Sequence, residues 1–136
     1  MPHHARVTVP AEHTAAVAGA LLAVYSARAF AVAEYAERTD PQKLEDCRIA
    51  LTDAEAALEV FGWDRRPRLD AVELAGTSAL VGEVLSCAVL DASQAFGAAF
   101  DDYGRGEAPL SAVEAAGLQL GDLLRLLVAF EREQTV

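Results

Sequence analysis

The sequence has no asparagine, one lysine (Lys43) beside ten arginines, and three histidines confined to its start, at His3, His4 and His13. The last shortage removes whole chemistries. Ferritin-like diiron bundles project Glu-x-x-His pairs from their helices, and no histidine follows His13. The three that exist lack acidic or thiol company at ligand spacing, so no metal site and no cofactor is expected. An RNA-cleaving helical domain would pair arginine with histidine on one helix, and that pair is missing too. The preference for arginine over lysine fits the codon usage of a GC-rich bacterial genome and carries no functional weight.

Positive charge is also scarce. Eleven basic residues against 21 acidic ones leave a net charge of −10, with a pI near 4.6. Nucleic-acid binding rests on neutralising phosphates with Lys and Arg, so nucleic acid is excluded as a partner, and anionic membrane surfaces are disfavoured likewise. The one basic cluster, Arg65, Arg66 and Arg68, sits with Pro67 in a short connection and reads as solvated linker. Two cysteines, Cys47 and Cys87, are too few for a disulfide scaffold and fit reduced cytoplasmic thiols. The longest early uncharged run, Thr14 to Ala27, is about 14 residues, short of the roughly 18–20 that span a bilayer. With no basic leader before it, the expected location is the cytoplasm, without membrane attachment. Neither a glycine-rich phosphate loop nor a nucleophile elbow is present. Glu34 and Glu37 form one Glu-x-x-Glu, with no matching acidic pair of the kind that all-α nucleotide pyrophosphohydrolases use to hold magnesium.

What is abundant is helix-forming apolar sequence. The hydrophobic fraction is 53%, much of it alanine, the best helix former. A chain of 136 residues is one domain on length and can bury a real core. Residues 1–9 read as a flexible arm, although Val7, Thr8 and Val9 could extend along a neighbour. Four helices are predicted after it, over about 10–38, 40–61, 70–103 and 111–132. Val17, Leu21, Val24, Val32 and Tyr35 share a stripe of the first, with Arg28 in its middle, and Leu22, Ser26 and Phe30 align on its back. In the second, Thr39 and Gln42 match a capping box, and Leu44, Cys47, Leu51, Ala54, Leu58 and Phe61 repeat at spacings of three and four. Gly62 can close that helix and let Trp63 fold back on Leu58.

The third helix is expected to start at Asp70, with Glu73 three on and Leu69 and Leu74 as a hydrophobic staple. Its Ser78, Gly82 and Ser86 form a row of small residues suited to a close neighbour, as do Gly117 and Gly121 in the fourth. Ser111 and Glu114 match a second capping box. Short connections force antiparallel neighbours, so the expected fold is all-α, an up-down-up-down antiparallel four-helix bundle.

More apolar surface lies on the first, third and fourth helices than one bundle covers, which predicts a homodimer, with a further protein partner possible. The interface candidates are Leu22, Ser26, Phe30, Ser78, Gly82, Ser86, Gly117 and Gly121. No catalytic residues stand out. Glu83, Cys87 and Asp91 follow one another at spacing four, and the carboxylates should raise the thiol's pKa. In an up-down bundle the first and third helices run parallel, which would bring Arg28 to Asp91 or Glu83. That meeting is either a structural ion pair or an anion-binding pocket, with Tyr25 or Tyr35 beside Arg28. The reading favoured is a non-enzymatic helical protein that works through association.

Overall fold

The computed structural model describes residues 3–62, 66 and 68–135. Two strands enter the architecture where the sequence suggested an arm and a helix start. Strand β1 is His4–Val9, and after a single 3-10 turn at Ala11–His13 come α1 (Thr14–Ala36) and α2 (Pro41–Phe61). Strand β2 is Val72–Thr77, followed directly by α3 (Ser78–Gly104) and then α4 (Leu110–Gln134). The expectation of a purely all-α up-down bundle is therefore corrected: four helices are joined by a two-stranded antiparallel sheet.

Both strands obey a period of two, which is why they are strands. Ala5 and Val9 on β1 and Leu74 and Gly76 on β2 are buried, and Val7 and Val72 pack against the same core. Their neighbours His4, Arg6, Thr8 and Glu73 face outward and are exposed. The register pairs Val7 with Leu74 at the centre and runs from His4 opposite Thr77 to Val9 opposite Val72. Residues 4–9 are thus not a free arm.

The expected third helix loses its first turns to β2. Asp70 and Glu73 form no cap, and Leu69 is 100% exposed, so there is no staple. The helix starts instead at Thr77, whose hydroxyl accepts a hydrogen bond from the Leu80 N–H at 3.2 Å. Two other caps differ from expectation. Asp40, not Thr39, caps α2 by accepting from the Lys43 N–H at 3.1 Å, with Pro41 in the first turn. Pro109 precedes α4 without a side-chain cap, so the Ser111–Glu114 box is not formed. Gly62 ends α2 at φ 97°, a conformation that other residues resist. The expected packing of Trp63, and the cluster positions Arg65 and Pro67, lie outside the described residues.

The chain order strand-helix-helix occurs twice, and positions along the two copies correspond. The shift along the chain that carries Val7 onto its own partner Leu74 also carries His13, Thr14, Val17, Ala18 and Leu21 onto Leu80, Val81, Val84, Leu85 and Ala88. All ten of these helix-face positions are buried. A slightly longer shift carries Leu51, Asp53, Leu58 and Phe61 onto Leu120, Asp122, Leu127 and Phe130, identical in type at each position.

Antiparallel strands that each feed a helix make those helices antiparallel as well. Arg28, late in α1, contacts Glu83, early in α3, while Ala15 and Ala16, early in α1, share a groove with Ala95, late in α3. This corrects the parallel arrangement expected of an up-down bundle. The helices α1 and α3 are the central pair, α2 packs on α1 and β2, and α4 packs on α3. By length and composition, 11–36 and 78–104 are each apolar enough to cross a bilayer. A count of uncharged residues misses the first because it stops at Arg28, and the second because Glu83 and Asp91 interrupt it.

Leu74 is fully buried at the sheet centre whereas Leu69 is fully exposed. Leu74→Ala should cost about 2–5 kcal/mol in urea unfolding, and Leu69→Ala should leave the midpoint where it is. Equal sensitivity of the two would restore the staple and remove the strand.

Candidate functional site

The densest polar cluster centres on Arg28, where α1, α2 and the start of α3 meet. Its side chain is 14% exposed, because a helix stripe that is otherwise apolar carries it against two neighbours. The guanidinium donates to the Ala50 carbonyl at 2.7 Å and to Glu83 Oε2 at 3.0 Å, and Asp53 Oδ2 lies 3.7 Å away. Asp53 in turn accepts from the Thr77 N–H at 3.2 Å and from the Thr77 hydroxyl. One aspartate of α2 thus holds both the arginine of α1 and the cap of α3. Gly76 permits this approach, since a Cβ there would stand 3.3 Å from Asp53 Oδ1.

Beside the cluster lies a cleft of about 310 Å³, lined among others by His3, Arg28, Asp46, Ile49, Asp53 and Ser78. Its charged lining is one arginine between carboxylates, with Glu83 adding a third from α3. Arg28 therefore offers no unbalanced positive charge to an anion. Antiparallel helices also explain why Arg28 meets Glu83 and not Asp91. Tyr25 packs against the core, and Tyr35 lies near the far end of α1 with the Arg38 guanidinium 4.9 Å from its ring centre.

Asp122 holds the position in α4 that corresponds to Asp53 in α2. Its Oδ2 lies 3.0 Å from Nε2 of His13, at the start of α1. A carboxylate only accepts, so Nε2 carries the proton. His13 is 5% exposed, and its buried Nδ1 has no partner among the described residues. Each second helix thereby ties down the entry of the first helix in the opposite half.

The remaining candidates separate. Leu22 packs on the core while Ser26 and Ser86 are exposed, and Phe30 is 67% exposed. Ser78 donates through its N–H to the His3 carbonyl at 2.7 Å. Gly82 is covered from within the chain, since a Cβ there would stand 3.1 Å from the Phe130 ring, and Gly117 similarly faces Phe96 at 3.2 Å. Gly121 lies in a shallow depression with Glu114, Leu118 and Arg125. Sequence reasoning missed Asp53, Thr77 and the His13–Asp122 pair. A Gly-Thr-Ser step after alternating Val72 and Leu74 was the available signal for the cap.

Burial pushes the Cys87 thiol above its ordinary range, and the charges of Glu83 and Asp91 push it further. Among the described residues no group of three or more His, Cys, Asp and Glu is placed to hold a metal ion. The chain matches no family model, no curated protein and no solved structure.

Replacing Arg28 by Met leaves the Ala50 carbonyl and Asp53 short of a donor. With Glu83 half exposed, the expected loss is about 1–3 kcal/mol in chemical denaturation; an unchanged midpoint would contradict the cluster's role. For Cys87, alkylation followed against pH in a Cys47→Ser background should reach half-rate above the pH of an ordinary thiol. Asp91→Asn should lower that pH without normalising it, because burial remains.

Proposed function

We propose that this chain works through association, as a homodimer, and not as an enzyme. The observation that carries the reading is the outer side of α4, which no other element of the chain covers. Leu118 is 68% exposed, Leu110 50%, Leu124 45% and Val128 37%, and their spacing puts them on one broad side of the helix. Glu114 and Arg125 stand among them, and a largely apolar side of this kind can pair isologously with its copy. Phe100 and Tyr103 on α3, 59% and 45% exposed, extend the apolar surface beyond α4. An acidic exterior, with net charge −10, discourages contact with nucleic acid and other anions.

The surroundings of Arg28 support the same preference. The arginine is engaged by a carbonyl and two carboxylates, an arrangement suited to fixing the packing of three elements. Anion capture would ask for spare donors at that position.

Sedimentation velocity over a range of concentrations tests the proposal. The expected species is twice the 14.4 kDa chain, and Leu118→Glu combined with Val128→Glu should yield monomer with unchanged far-UV circular dichroism. A wild-type monomer at every concentration would overturn the reading.

A further inference from the structure

The outer side of α4 carries a charge pattern that is its own complement when read in reverse. Glu114, Leu118, Gly121 and Arg125 follow one another at spacings of four, three and four, so they lie along one stripe of the helix. With Gly117 they line a shallow depression of about 540 Å³. The acid stands one turn before Leu118, and the arginine one turn after Gly121. Glu114 takes part in no hydrogen bond or ion pair among the described residues. Arg125 gives one guanidinium nitrogen to Asp122 at 2.9 Å and has further donors to offer.

Among the described residues, nothing requires Gly121 to lack a side chain. A Cβ there would meet nothing nearer than the Arg125 guanidinium at 3.7 Å, whereas one at Gly117 would press on Phe96 at 3.2 Å. Glycine inside a helix costs stability relative to alanine, a cost that a close neighbour from outside the chain offsets. The exposed area matches a neighbour of protein size. The chain exposes 8387 Å², where a compact monomer of 14.4 kDa exposes roughly 6,800 Å². The surplus is about twice the ~800 Å² that each partner buries in a standard interface.

We propose that α4 pairs antiparallel with α4 of a second copy, about a two-fold axis level with Gln119 and Leu120. In that register Glu114 of each copy faces Arg125 of the other, and Leu118 of each sits in the hollow over Gly121 of the other. Opposite helix ends then lie side by side, which the helix dipoles favour. A parallel pair in register would set Glu114 against Glu114 and Arg125 against Arg125. The inference rests on association through α4 and adds the direction and register of the pair.

The test is the dimer dissociation constant of charge-reversed full chains, read by sedimentation velocity at low salt with far-UV circular dichroism as the check on folding. Glu114→Arg and Arg125→Glu should each weaken the dimer about tenfold or more, because two attractions become two repulsions. The two changes in one chain merely exchange the charges and should restore wild-type affinity to within about threefold. In about 1 M salt the single variants should approach wild type. Gly121→Leu, which has room within its own chain, should weaken the dimer about tenfold or more by filling the hollow. A dimer that ignores the single reversals, a double variant as weak as the singles, or a dimer that tolerates Gly121→Leu would overturn this pairing and leave the association reading standing. A wild-type monomer at every concentration would overturn both.

Discussion

The pairing of β1 with β2 is the constraint on which the rest of the molecule depends. Among the described residues neither half-buried strand has another to pair with, so the central Val7–Leu74 contact sets the register of both halves at once. Because the strands run in opposite directions and each leads into a long helix, α1 and α3 must cross antiparallel. The order strand-helix-helix then occurs twice along the chain. Two short strands alone would be marginal in water; here the four helices bury one face of them.

Asp53 and Asp122 occupy corresponding positions in α2 and α4, and each reaches the entry of another helix, through Thr77 and His13. A buried arginine with three acceptors fixes how α1, α2 and α3 meet, and its lost hydration is offset only because all three acceptors are in place.

Much of the helical content was legible because repeats such as the three-four spacing of Leu44 to Phe61 are long and strongly periodic. The strands were not, for physical reasons that can be named. Asp70, Glu73 and the flanking leucines imitate a capping box and staple, and that local signal outweighed a six-residue alternation. Strand pairing joins residues far apart in sequence, so Val72–Thr77 has little identity as a strand until His4–Val9 lies beside it. Arg28 was recognisable as a charge on an apolar stripe. Its contact with Glu83 instead of Asp91 depended on helix direction, which the strands decide. Asp53 falls outside the Leu44 to Phe61 repeat, and nothing in α2 alone reveals that β2 packs on it.

The most direct test of this account is the pattern of nuclear Overhauser contacts along residues 72–77 in the intact chain. The account predicts cross-strand contacts between Val7 and Leu74 and between Val9 and Val72, with weak contacts between successive amides. Strong successive amide contacts from Asp70 through Thr77, without any contact to residues 4–9, would mean that a helix continues through this segment. The antiparallel central pair would then fall with the sheet.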